Sequence, residues 1–190
     1  MAKTHPEIDA EMADWIRAQP LFFVASAPLA GNGHVNVSPR GLDTLRILGP
    51  RRVAWLDLTG SGNETAAHLA ENGRITVMFC AFEGRPRILR LYGRGRAVVA
   101  EDDEWQRLRG HFPEGLPGVR QIMDVAVERI QTSCGFGVPL MTHAGQRDTL
   151  DAWSRKKGEA GLVDYRREKN RRSIDGLAAP DPDVAGDSNG

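Results

Sequence analysis

The chain has 190 residues, enough for one domain with a continuous buried core. Its 25 Lys and Arg balance its 25 Asp and Glu, so no net charge draws it toward nucleic acid or an anionic membrane. No apolar run reaches the length of a membrane span, and residues 1–6 lead into no signal-peptide core, so the expectation is a cytoplasmic protein. The two cysteines, Cys80 and Cys134, suit a reducing compartment and no disulfide framework.

Residues 6–18 read as an amphipathic helix, with Ile8, Met12, Trp15 and Ile16 at helical spacing and Pro6 in the first turn. Pro20 ends it. Residues 21–27, carrying Phe22-Phe23-Val24, read as a buried strand. Gly31-Asn32-Gly33 predicts a turn that returns the chain as a second strand over 34–38. Short strands over 45–48 and 52–56 flank the turn at Gly49-Pro50. The next segment is the most informative. An apolar strand ending at Leu58 runs into Thr59-Gly60-Ser61-Gly62-Asn63, and a helix begins near Glu64. Backbone N–H groups, hydroxyls and a helix N-terminus there converge where a phosphate can sit. The loop lacks the Gly-Lys-Ser/Thr ending of a nucleotide P-loop and the spacing of a dinucleotide fingerprint. By itself it also fits an ordinary capped strand-to-helix turn.

A short helix over 65–72 stops at Gly73, and a strand over 75–82 turns at Glu83-Gly84-Arg85. A long strand over 88–100 puts Leu89 and Leu91 on one face and Arg90 and Tyr92 on the other, before Gly93 and Gly95 loosen it. The acidic run 101–104 precedes a helix over 105–111, favouring its dipole. Met123, Val125 and Val127 alternate as a final strand through Ile130. A late helix over 146–157 turns Leu150 and Trp153 inward and is closed by Gly158. The reading is one mainly β domain over 1–177, with six or more mostly antiparallel strands and peripheral helices, followed by a disordered acidic tail over 178–190.

Other candidates carry less. Arg40, after Pro39, reads either as an anion ligand or as a surface arginine. Arg85, Arg87, Arg90, Arg94 and Arg96 form a basic run that lines an anion site or pairs with nearby acids. A nucleophilic Cys134 needs a base such as His111 or His143. The five histidines are scattered without metal-ligand spacing, so no metal site is expected; His68 reads as a polar surface residue or a support for a neighbouring group. The basic cluster 166–172 reads as a solvated helix end or a subunit contact, and nucleic-acid binding rests on it alone. The four tryptophans are expected in packed positions.

The order of Val35-Asn36-Val37-Ser38-Pro39-Arg40-Gly41, a strand, Thr59-Gly60-Ser61-Gly62-Asn63-Glu64-Thr65, a helix, then Glu71-Asn72-Gly73-Arg74-Ile75 resembles the pyridoxamine 5′-phosphate oxidase-like family. Residues 85–95 resemble that family's strand pair beside the flavin, and Gln131-Thr132-Ser133-Cys134-Gly135-Phe136-Gly137-Val138-Pro139 resembles a signature of one subgroup. The likeness runs over residues 5–177. It implies a split β-barrel holding FMN at a homodimer interface. Val37, Ser38 and Arg40 would lie along the isoalloxazine edge, Thr59 and Ser61 would meet the ribityl-phosphate with Asn63 and Thr65, and Arg87 or Arg90 would reach across on the neighbouring strand.

Two departures stand out. Glu64-Thr65 occupies the place of an Arg-Lys pair in the biosynthetic oxidase, so Arg40, Arg87 or Arg90 would have to replace that charge. The oxidase's C-terminal arginine and histidine pattern is also not evident. The implied function is an FMN-dependent oxidoreductase acting on a small organic substrate. The alternatives are a deazaflavin-dependent reductase, or a flavin- or haem-binding protein without turnover.

Overall fold

The period-two alternation read from the sequence becomes a single antiparallel sheet in the computed structural model, which describes residues 2–183. The elements run β1 (Lys3–His5), α1 (Ala10–Arg17), β2 (Phe22–Ser26), β3 (Asn36–Arg40), β4 (Leu45–Gly49), β5 (Arg52–Leu58), α2 (Glu64–Asn72), β6 (Arg74–Cys80), β7 (Ile88–Val98), α3 (Trp105–Arg109), β8 (Val119–Ser133) and α4 (Thr149–Lys169). The strands order as β3-β2-β6-β7-β8-β5-β4, with β1 on a further stretch of β8. Every pairing is antiparallel. The mainly β, antiparallel expectation therefore holds.

The apolar run over residues 53–56 of β5 has a physical reason: it is covered on both faces. Val53 and Trp55 enter the main core with Phe22, Val77, Phe79, Leu91 and Met123. Phe22 meets Trp55 edge-on with ring centroids 5.8 Å apart. Ala54, Leu56 and Leu58 face a second cluster with Val98, Leu108, Phe112 and Ile122, where α3 covers the sheet. The apolar stripe of α1 (Met12, Ala13, Ile16) closes the main core.

Several boundaries differ from expectation. Asp9 caps α1 by accepting the Met12 N–H at 2.8 Å, so the helix starts past Pro6. β3 begins at Asn36 because the hairpin spends the residues up to Val35 on its turn. β8 extends well beyond 123–130, since it pairs with β5, β7 and β1 along different stretches. Gly158 interrupts α4 at φ 67°, ψ 171° without ending it, and helix resumes to Lys169. The tail expected disordered from 178 is placed as far as Asp183. Ala178 bridges to Arg172, Ala179 packs against the core, and Asp183 pairs with Arg166. Residues 184–190 of that call lie outside the described residues.

Candidate functional site

The alternation along β3 sets the first wall of the site. Val37 and Pro39 face outward and are exposed, whereas Asn36, Ser38 and Arg40 are half-buried and face the loop after β5. That loop and the start of α2 supply the second wall. Together with Arg120 from β8 they enclose a cleft of about 50 Å³ that reaches Ser38, Arg40, Ser61, Asn63 and Thr65. Asn36 donates to the Thr65 hydroxyl at 3.2 Å, tying strand to helix.

Under this cleft lies Asp57, fully buried. Its Oδ2 accepts from Arg120 Nε at 2.8 Å and from Gln121 Nε2 at 2.7 Å, and its Oδ1 lies 3.0 Å from Arg40 Nη2. Burial opposes ionisation of this carboxyl. The flanking Arg120 and Arg40, with the hydrogen bonds from Arg120 and Gln121, outweigh it and hold the group below the usual carboxylate range. Two guanidinium groups thus share one buried carboxylate beside the cleft, whose lining also includes the Glu64 carboxylate.

The helix start completes the arrangement. Asn63 stands at the N-cap of α2, yet its side chain does not cap the helix. Its Oδ1 accepts from Gln121 Nε2 at 2.8 Å and its Nδ2 donates to the Asn170 carbonyl at 3.3 Å. The first turn therefore keeps N–H groups without a side-chain acceptor, at the positive end of a nine-residue helix. Glu64 lines the cleft as well, and its carboxylate accepts the Ile174 N–H at 3.0 Å.

The structure brings Ser38, Arg40, Ser61, Asn63 and Thr65 together and leaves the other four expected residues elsewhere. Val37 points outward and is 61 % exposed. Thr59 is fully buried beneath the loop, where its hydroxyl accepts from Arg166 Nη1 at 3.0 Å. Arg87 lies over the Trp15 ring, 5.0 Å from its centroid, and Arg90 donates to the Ser133 hydroxyl at 3.3 Å. Arg120, Asp57 and Gln121 were missed. Their signal is charge inside apolar strand sequence: Asp57 interrupts Trp55-Leu56-Asp57-Leu58, and Arg120-Gln121 precede Ile122.

Two other expectations are corrected. Arg166 and Asn170, read as part of a solvated cluster, are buried. Arg166 holds Thr59 and Asp183, and Asn170 Nδ2 donates to the carbonyls of Gly60 (3.0 Å) and Gly62 (3.2 Å). His68 is no surface residue: it is fully buried with Nδ1 3.0 Å from the Ser26 hydroxyl.

The sequence model of the pyridoxamine 5′-phosphate oxidase family matches residues 8–134. The pyridoxamine 5′-phosphate oxidase family protein ustO of Aspergillus flavus is 38% identical over 191 residues, covering 91% of this chain and 76% of that protein. Among solved structures, the H111A variant of HupZ from Group A Streptococcus aligns with a TM-score of 0.51 at 22% identity, over 66% of this chain and 99% of that one. A candidate pyridoxamine 5′-phosphate oxidase from Lactobacillus delbrueckii gives 0.51 at 11% identity, over 67% and 98% of the two chains. At such identities the structural likeness speaks for the fold, a split β-barrel. With the family match spanning most of the sheet and a curated relative aligned over 91% of this chain, this chain belongs to the pyridoxamine 5′-phosphate oxidase family.

Proposed function

We propose that the chain is an FMN-dependent oxidoreductase whose flavin phosphate occupies the cleft between β3 and the start of α2. The observation that carries this reading is the uncapped first turn of α2 beside two arginines that share a single carboxylate. An anion there meets helix N–H groups, hydroxyls of Ser38 and Ser61, and the guanidinium groups of Arg40 and Arg120. These groups fit a phosphate monoester, and Arg40 and Arg120 stand in for the lysine absent at Glu64-Thr65. A water needs about 10–15 Å³ of such space, so a cleft of about 50 Å³ suits one tetrahedral anion and no ring system.

The isoalloxazine then lies outside the cleft along the β3 edge, where Val35 and Val37 are 69% and 61% exposed. That uncovered apolar edge supports a homodimer in which a second copy shields the ring. Bound FMN would supply hydride transfer to and from a small organic substrate, while the protein orients and anchors it. The test is the visible absorbance of the purified protein after adding FMN and desalting. Retained flavin bands are expected, with Arg40→Ala weakening FMN at least about 10-fold while the fold persists. A colourless protein that cannot hold added FMN overturns the reading in favour of a deazaflavin or haem ligand.

A further inference from the structure

Asn63 occupies the N-cap position of α2, where an asparagine side chain ordinarily accepts a first-turn N–H. Asp9 does this for α1: its backbone is extended at ψ 176°, and its Oδ1 takes the Met12 N–H at 2.8 Å. Asn63 instead has ψ 35° and makes no side-chain cap bond. The cause lies on β8.

β5 and β8 pair Asp57 with Gln121 but Leu58 with Val119, so Arg120 is an extra residue in β8. Such a bulge re-aims side chains that would otherwise alternate, and Arg120 and Gln121 both turn onto Asp57. A carboxylate only accepts hydrogen bonds, so Gln121 presents its NH2 group to Asp57 Oδ2, 2.7 Å away. The second N–H of that group meets Asn63 at 2.8 Å, where only an oxygen can receive it. Asn63 Oδ1 is therefore taken by Gln121, and its Nδ2 turns to the Asn170 carbonyl at 3.3 Å. One buried acceptor thus orients two amides in series and draws the second off the helix. Gln121 is fully buried, and its Oε1 has no hydrogen-bond partner among the described residues. An unpaired buried carbonyl is destabilising, so stability alone does not account for this arrangement.

We propose that Gln121 is a positioning residue: it holds Asn63 away from the start of α2 and keeps the Thr65 and Ala66 N–H groups open to an anion. The inference rests on reading the adjacent cleft as the flavin phosphate site. Gln121 does not line that cleft and acts through Asn63. Without the Gln121 donor, Asn63 is released to cap the helix, and its oxygen takes the place of a phosphate oxygen.

The test combines amide hydrogen exchange by NMR with titration of inorganic phosphate, on the wild-type chain, Gln121→Met and Gln121→Met/Asn63→Ala. Methionine keeps the volume and removes the donor. Gln121→Met should slow exchange of the Thr65 or Ala66 N–H and weaken phosphate, each by at least about 10-fold. Adding Asn63→Ala removes the competing oxygen and should recover most of the phosphate affinity. A merely structural Gln121 gives the reverse, a second loss on top of the first. Should Gln121→Met fail to fold, Asn63→Ser replaces it, because serine caps well and is too short to reach Gln121. The same slowed exchange and weakened phosphate are then expected. Unchanged exchange in the capping variant, or a double variant that binds phosphate more weakly than Gln121→Met, overturns the proposal. The exchange readout needs no ligand. It decides the role of Gln121 even where the wild-type chain holds neither phosphate nor FMN, the result that overturns the FMN reading.

Discussion

Asp57 tempers the candidate phosphate site, and its two effects can be separated. It is buried with Arg120 and Arg40 on either oxygen, so its removal leaves like charges facing each other. Asp57→Asn should cost about 3 kcal/mol in denaturant unfolding, the range for breaking a buried pair. It should also tighten inorganic phosphate, because the cleft gains a full positive charge. Weaker phosphate binding would mean that Asp57 serves to aim the arginines instead. Because its folded pKa is depressed, Asp57 contributes stability above the unfolded carboxylate pKa and loses it as pH falls toward the folded value. His34 gives the opposite sign. Its Nδ1 lies 2.7 Å from Asp175, whose hydrogen bond and then charge raise the imidazole pKa, so this contact is fully present below the unfolded pKa and is lost as pH rises through the folded one. The His34 ring should titrate above its ordinary value of 6.5 by NMR and return to it in Asp175→Asn. At this scale the sequence was only partly legible. Ser38, Arg40, Ser61, Asn63 and Thr65 could be found because they sit in or beside one strand-loop-helix unit. Arg120 could not, since it reaches Asp57 across 63 positions of chain. Thr59, expected at the ligand, lies buried against Arg166, because in sequence a hydroxyl in a glycine loop looks the same whether it faces a ligand or a buried arginine.

Elements depend on where backbones approach. Alternation in residues 88–100 predicts a strand, and β7 runs over Ile88–Val98, but Gly93 and Gly95 do not loosen it. Register shifts between Tyr92 and Gly93 against β8, and a Cβ on Gly93 would sit 2.0 Å from the Ala126 carbonyl oxygen. On Gly95 it would meet Leu69 of α2 at 3.1 Å. The glycines thus let β7 lie close to β8 and to α2, whose N-terminus lines the candidate phosphate cleft. Gly93→Ala should destabilise by about 3 kcal/mol or more, as the neighbour is backbone and cannot rotate away. Gly137→Ala, with nothing within 4 Å of its Cβ, should change stability by less than about 0.5 kcal/mol. Paired urea titrations measure both, and equal values would mean that the β7–β8 bulge relaxes freely. Single-strand alternation carries no information about such an approach, because it depends on the partner strand's register.

Across the whole molecule, the end of α4 and the segment after it act as a clasp on the loop that carries the candidate site. Arg166 holds Thr59, Asn170 holds the Gly60 and Gly62 carbonyls, and the Ile174 N–H holds Glu64. Asp175 reaches back to His34 just before β3, so both walls of the cleft are tied to one C-terminal segment. The anchor is the Arg166–Asp183 pair, with Nε 2.7 Å from Oδ2 and side chains only 7% and 10% exposed. Asp183→Asn preserves shape but leaves the Arg166 charge buried without a counter-ion, a change costing about 3–5 kcal/mol. At about 2–4 °C per kcal/mol for a chain of this size, the melting temperature should fall by roughly 10 °C. Asn170→Ala removes hydrogen bonds to the loop without stranding a charge, so a smaller loss of about 1–2 kcal/mol is expected. If the clasp positions the cleft, Asn170→Ala should weaken FMN several-fold although no atom of Asn170 lines that cleft. Scanning calorimetry alongside FMN titration distinguishes the cases. A lower melting temperature with unchanged FMN affinity would confine the clasp to stability, while a parallel loss makes the C-terminal segment part of the binding machinery.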